Sequence, residues 1–213
     1  MHPVSRPRIA VVDYGIGNLH SARKAHERAG ADAQLTSDAD TITAADAVVL
    51  PGVGNFGSCL TALRNRGLDA AVLEASGGLP ILGICIGAQM LFDASEESPG
   101  ATGLGIIAGA VSWIPPGPKR PQMQWNRLDV PVPHDPMFAG LEASPWFYFV
   151  HSLHGVPDDA GQVAATCSYG APLNAAFRRD NVFATQFHPE KSGANGLRLI
   201  ANFVAVAARA AVR

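Results

Sequence analysis

The segment Leu82-Gly83-Ile84-Cys85-Ile86-Gly87 places a thiol between two glycines, where an apolar strand runs into the helix-like stretch Ala88 to Phe92. A nucleophile elbow has this pattern. There the strand-to-helix bend is strained, its central side chain projects above the sheet, and flanking glycines avoid collisions between a Cβ and neighbouring backbone. The macrodipole and free N–H groups at a helix N-terminus favour the thiolate, the form that attacks. A free cysteine is more often a small buried hydrophobe. Cys59, within a helical apolar pattern, and Cys167, alternating in a strand, are read that way, and Cys85 is read as the nucleophile.

A thiol of this kind needs a base. Most of the seven histidines read as ordinary surface or core residues, but His188 ends the apolar run Val182 to Phe187 and begins His-Pro-Glu. Proline holds the residue before it extended, and positions two apart in an extended chain point to one side, roughly 6 to 7 Å apart. Glu190 could therefore reach back to the imidazole, fix its tautomer and leave the other nitrogen facing the thiol, the logic of a Cys-His-Glu triad. Acyl chemistry also needs donors for a developing oxyanion. Val49-Leu50-Pro51-Gly52-Val53-Gly54 leaves a strand as a glycine-rich turn, and N–H groups of Gly52, Val53 or Gly54 with that of Ile86 would form the hole. A plain strand-to-helix turn explains that segment equally well. No Lys-Ser/Thr follows it, so it does not read as a phosphate-binding loop.

These residues require a sheet to carry them. Apolar runs alternate with helix-like segments in the first half: Ile9 to Val12, Asn18 to Ala29, Ala47 to Leu50, Phe56 to Arg66 and Ile81 to Ile84. That alternation predicts parallel strands covered by helices. Asn18 is placed to cap the first helix and Gly30 to stop it, with Leu19, Ala22, Arg23, Ala25, His26 and Ala29 on one mostly apolar face. After Ser95 the β-like stretches are shorter: Leu104 to Ile114, Trp125 to Val130, Trp146 to Leu153, Val163 to Ser168 and Ala175 to Phe187. Antiparallel pairing is expected there, with a hairpin turn at Arg179-Asp180-Asn181. Leu197, Ile200, Ala201, Val204 and Ala208 predict a closing amphipathic helix. The prolines at 115, 116, 118 and 121 mark an exposed loop within one core, so residues 1–213 are expected to form a single domain.

Composition narrows the function. A chain of 213 residues can bury roughly 70% of its unfolded surface. With 47% hydrophobic residues, 16% charged residues and a net charge of -2, it has the profile of a soluble globular protein. Lys and Arg form no run suited to nucleic acid or to an anionic bilayer. The polar segment Met1 to Arg8 and the short apolar run after it carry no export or membrane signal. Three irregularly spaced cysteines fit neither a disulfide framework nor a zinc site and imply a reducing, cytoplasmic setting.

The chain resembles the class I (triad-type) glutamine amidotransferases over essentially its whole length. The likeness rests on Asp13-Tyr14-Gly15 with Gly17-Asn18-Leu19, Leu50-Pro51-Gly52-Val53-Gly54, Gly83-Ile84-Cys85-Ile86-Gly87-Ala88-Gln89, Tyr148-Phe149-Val150-His151-Ser152 and Gln186-Phe187-His188-Pro189-Glu190-Lys191-Ser192. Its first and fourth blocks are similar to those of the glutaminase subunits of imidazole glycerol phosphate synthases of histidine biosynthesis. The resemblance implies an α/β, flavodoxin-like fold: a central, mostly parallel sheet flanked by helices, with antiparallel strands in the second half. It implies that Cys85 attacks the side-chain amide of L-glutamine, that His188 protonates the leaving ammonia, and that Glu190 orients His188. Gln89, His151 and Ser152 would contact the substrate. Neither cofactor nor metal is implied. Ammonia would pass to a (β/α)8 cyclase subunit in a heterodimer, through a face carrying Met123, Gln124, Trp125, Asn126, Tyr148 and Lys191. Gln124 stands where the family usually has glycine. From composition alone Trp125 and Tyr148 read as core aromatics and Lys191 as a solvated charge. Rival readings are a glutaminase for another acceptor, such as anthranilate or guanylate synthesis, a stand-alone γ-glutamyl hydrolase, or a non-catalytic binding subunit.

Overall fold

A computed structural model of the chain describes residues 6–130 and 135–211, so the first five residues of the polar N-terminal segment lie outside it. The first eight elements are β1 (Arg8–Val12), α1 (Leu19–Arg28), β2 (Asp32–Thr36), α2 (Ala39–Thr43), β3 (Ala47–Gly52), α3 (Phe56–Asn65), α4 (Leu68–Ser76) and β4 (Ile81–Cys85), five of which fall on the apolar and helix-like runs of the sequence. The sequence reading lacked β2, α2 and α4. β2, at the sheet's edge, buries only Ala33 and Thr36, and α2 is a single short turn capped by Asp38, so neither carries a strong apolar pattern.

The turn at Cys85 is followed by α5 (Ile86–Gln89) and β5 (Ala94–Ser95). The helix thus starts directly after Cys85 and is one turn long, not the Ala88 to Phe92 segment expected. Leu104 and Ile107 explain the early stop: their N–H groups bond the carbonyls of Met90 and Leu91 and take the chain away from the helix axis. The same bonds keep Leu104 to Ala108 out of the strand expected there, leaving β6 (Gly109–Trp113). Then come β7 (Gln122–Arg127), β8 (Trp146–His151), β9 (Leu153–Pro157), β10 (Val163–Ser168), β11 (Pro172–Arg179), β12 (Val182–Thr185) and α6 (Gly193–Ala210). The anticipated strand Trp146 to Leu153 is two strands, because the chain leaves β7 at His151 and joins β6 at Leu153. Ser152 is the crossing point.

The main sheet has the order β10-β11-β12-β4-β3-β1-β2, parallel from β2 through β12 and antiparallel at β10 and β11. Its parallel part is the 2-1-3-4-5 order of flavodoxin-like sheets. Travel along the sheet reverses after β2, so right-handed crossovers put α1 on one face and α2, α3 and α4 on the other. The packing agrees: α1 contacts α6, while α2 and α3 contact α4. Both faces are covered, so β3 and β4 are buried throughout. The hairpin before β12 turns on Asp180-Asn181, with Asp180 at φ 51°, and Arg179 already pairs with Val182. α6 buries Gly196, Leu199, Ile200, Phe203, Val204 and Ala207, a stripe rotated from the expected one because Phe203 must meet His26 of α1 edge-on. The loop of prolines 115, 116, 118 and 121 is largely exposed. No described helix is long and apolar enough to cross a membrane.

Candidate active site

Register brings the distant segments together. Gly52 pairs with Cys85 and Thr185 with Ile84, so the chain beyond β3, β4 and β12 emerges at one edge of the sheet, the edge where ligands bind in such folds. Cys85 has φ 56° and ψ -113°, a conformation that costs of order 1–3 kcal/mol and is found where surrounding structure imposes it. Here the constraint is backbone packing. A Cβ on Gly87 would lie 1.8 Å from the Leu50 carbonyl oxygen, and one on Gly83 would lie 2.9 Å from the Ala88 Cα. The N–H groups of the turn after Cys85 have no preceding helical carbonyl to bond and point towards the thiol's end. The arrangement holds Cys85, 4% exposed, against a cavity of about 270 Å³. Ligand pockets for drug-sized molecules run about 300–1,000 Å³, so this one suits something as small as an amino acid.

His188 faces the same cavity, 1% exposed. It is extended (φ -102°, ψ 93°), as Pro189 requires. Glu190 reaches it from a 3-10 turn, Pro189–Lys191, and not along an extended chain, since two residues folded back bring the carboxylate closer than the extended spacing would. Glu190 Oε1 lies 2.8 Å from His188 Nδ1, with both side chains 2% exposed. That bond fixes the Nδ1–H tautomer and leaves Nε2, which has no other partner, for the thiol. Burial pulls the imidazole pKa down, but the bonds and charges of Cys85 and Glu190 outweigh it and push it up to about 9. The backbone of His188 is clamped too: its N–H donates to Tyr148 O (3.0 Å), and Ser192 Oγ donates to its carbonyl (2.6 Å) while accepting from Tyr148 N–H (3.0 Å).

The remaining expected residues fall into three groups. Val53, Gly54, Ile86, Gln89, His151, Ser152 and Lys191 line the cavity; Gly52 lies just behind, where a Cβ would meet Gly87 N at 2.5 Å. Gln89 is buried with its Oε1 unpartnered, while its amide N–H donates to Gln186 Oε1 (2.9 Å). The His151 ring is already committed. Burial lowers its pKa to about 4, so the neutral ring donates through Nδ1 to Leu153 O (2.7 Å), while Nε2 lies 2.8 Å from Gln122 Oε1; two acceptors cannot bond, so the Gln122 amide is read turned over, with its NH2 donating to Nε2. Only its backbone is free to face a ligand. On β7 and β8, Met123 and Trp125 are 62% and 47% exposed, which corrects the reading of Trp125 as a core aromatic. Trp125 packs edge-on with half-buried Tyr148. Gln124 is also exposed, and Asn126 donates to Ser168 O.

Sequence reasoning assigned nothing to Gln186, Ser192 or Glu97. Gln186 sits 3.9 Å from Cys85 Sγ through its amide nitrogen, and its position two before His188 was a usable signal. Glu97 lines the cavity and accepts from Phe56 N–H (2.8 Å), a contact across 41 residues that no local pattern announces. Among the described residues, no group of three or more His, Cys, Asp or Glu could hold a metal ion.

The family model of class I glutamine amidotransferases matches residues 10–207. The chain belongs to the class I glutamine amidotransferases. Within that family it is 50% identical over 210 residues to the imidazole glycerol phosphate synthase subunit HisH of Synechococcus elongatus, covering 97% of this chain and 96% of the relative. It is 48% identical over 206 residues to that of Methylococcus capsulatus, covering 92% and 95%. Among solved structures, PurLQS from Thermotoga maritima superposes with a TM-score of 0.75 at 22% identity, covering 95% of this chain and 99% of that one, which shows a shared fold.

Proposed function

We propose that this amidotransferase is the glutaminase subunit of an imidazole glycerol phosphate synthase, in which Cys85, His188 and Glu190 release ammonia from L-glutamine for a (β/α)8 cyclase subunit. The observation that carries the reading is the juxtaposition of a strained thiol and a Glu190-oriented imidazole across one small cavity. The Cys85 thiolate adds to the side-chain amide carbon, and the carbonyl oxygen becomes an oxyanion within reach of N–H groups from Ile86 and the Gly52 to Gly54 turn. His188 Nε2–H protonates the amide nitrogen as the carbon–nitrogen bond breaks, giving ammonia and a γ-glutamyl thioester. The now neutral imidazole takes a proton from water, hydroxide displaces the thiolate, and glutamate leaves. The free Oε1 of Gln89 suits the substrate's α-ammonium, and His151 and Ser152 present backbone to it.

Support for the partner comes from the HisH relatives and from the exposed Met123 and Trp125 beside Tyr148 and Lys191 at one side of the cavity. Apolar and aromatic exposure of this kind marks protein interfaces. In the heterodimer these residues, with Gln124 and Asn126, would meet the cyclase and deliver ammonia without release to water. Three free cysteines fit a cytoplasmic location. In the reconstituted complex, Cys85→Ala should abolish synthesis driven by glutamine and leave synthesis driven by ammonium salts intact. Equal loss from both nitrogen sources would sink the assignment.

A further inference from the structure

Behind the glycine-rich turn lie two buried donors that the reaction above leaves without a role. Tyr14 Oη donates to the Pro51 carbonyl (2.7 Å), and Cys59 Sγ donates to the Val53 carbonyl (3.2 Å). Neither side chain is exposed, and neither lines the cavity. Both come from the core side: Tyr14 follows β1, and Cys59 lies on α3, one turn beyond the loop it bonds. Burial raises the pKa of the phenol and of the thiol, so both keep the proton they donate. The turn is wedged between them and the elbow. A Cβ on Gly52 would stand 2.9 Å from Tyr14 Oη and 2.5 Å from Gly87 N.

Holding a carbonyl fixes more than the carbonyl. In a trans peptide the C=O of one residue and the N–H of the next lie in one plane and point in opposite directions. Tying the Pro51 and Val53 carbonyls to the core therefore sets the planes of the Pro51–Gly52 and Val53–Gly54 peptides. In the Val53–Gly54 peptide the Gly54 N–H therefore points away from Cys59, and both residues border the cavity. Gly54, at φ 92°, could otherwise swing its peptide at little cost.

We propose that Tyr14 and Cys59 are positioning residues for the glutaminase reaction, holding the Gly52 to Gly54 turn from beneath so that its N–H groups meet the oxyanion formed at Cys85. The proposal rests on the glutaminase reading above. Its test is steady-state glutamate release by the complex with the cyclase subunit, beside the rate at which iodoacetamide alkylates Cys85, followed by mass spectrometry of the Cys85 peptide. Alkylation needs the thiolate but forms no oxyanion.

Tyr14→Phe keeps the ring and removes the donor. It should lower kcat about 5- to 30-fold, less than the full loss of an oxyanion donor, with KM for glutamine and Cys85 alkylation each within twofold of the parent. Cys59→Ala should lower kcat about 3- to 10-fold on the same grounds, and Cys59→Ser, which restores a donor, should recover most of that loss. Unchanged kcat in Tyr14→Phe, or alkylation slowed in proportion to kcat, would overturn the proposal. If Tyr14→Phe does not fold, the Cys59 pair decides: equal turnover by the alanine and serine variants is fatal to it. A parent complex that releases no glutamate would refute the glutaminase reading instead, before any variant is compared.

Discussion

On the Cys85 side of the active centre the fixed element is main chain, with Gly87 so close to Leu50 that a Cβ would fall 1.8 Å from its carbonyl oxygen. On the His188 side it is a set of side-chain hydrogen bonds, from Glu190 to the ring and from Ser192 to the backbone. The difference teaches where each half can be broken. A close-packed backbone has no softer state to relax into, whereas a hydrogen bond can be removed one partner at a time at a graded cost. The Cys85 side should therefore fail abruptly on substitution, and the His188 side by degrees.

The largest effect expected is at the elbow. Gly87→Ala must displace β3 or α5, costing roughly 3 kcal/mol or more by overpacking and strain, so thermal denaturation should show a marked drop in Tm and glutaminase activity should vanish. Retention of both would mean that the two halves are equally compliant. Next is Glu190→Gln, which keeps the shape but loses the carboxylate that fixes the Nδ1–H tautomer. By analogy with triads of this logic, kcat should fall about 10³- to 10⁴-fold while Tm changes little; a kcat within tenfold of the parent would remove Glu190 from the mechanism.

Ser192→Ala is milder. Losing the hydroxyl that joins Tyr148 N–H to the His188 carbonyl leaves the Tyr148 N–H unpaired, a cost of about 1–3 kcal/mol, while the carbonyl keeps its bond from Lys191 N–H. Differential scanning calorimetry should register it, together with a reduction in kcat smaller than that of Glu190→Gln. The reverse order would show that His188 is placed by its backbone and not by Glu190.

The remaining effect is on pH. His188 has a folded pKa of about 9 against an ordinary 6.5, so the stability its charge contributes is fully present below about 6.5 and is lost as pH rises through 9. His151 acts in the opposite sense. Its folded pKa, lowered by burial to about 4, gives stability present above 6.5 and lost as pH falls towards 4. Tm should therefore peak near 6.5 if these two groups dominate. Cys85→Ala should flatten only the alkaline limb, because the thiol is the first of the influences raising the His188 pKa. An unaltered alkaline limb in that variant would show that the thiol does not raise the His188 pKa.

The same contrast explains what could be read from the chain. The elbow was legible because its geometry is local: two glycines, an apolar strand and a helix start fall within seven residues, and steric exclusion of a Cβ forces them to be glycines. Strands β1, β3 and β4 were legible because burial on both faces writes a continuous apolar run. β2, α2 and α4 were not, and α5 was placed too late, because the edge strand has only a partial burial pattern and the helix stop depends on hydrogen bonds from Leu104 and Ile107, more than a dozen residues away.

By itself, then, the sequence marked the parallel sheet, the Gly-x-Cys-x-Gly bend and the His-Pro-Glu segment, since each of these depends on backbone sterics or burial acting over a few neighbouring residues. Only the tertiary structure decided that Cys85 and His188 share a cavity, that the His151 ring is spoken for by Leu153 and Gln122, and that Tyr14, Cys59 and Ser192 hold carbonyls or amides next to the site. The physical reason is that hydrogen bonds between distant segments follow from register and crossover handedness, which many sequences can satisfy and no short run of residues encodes.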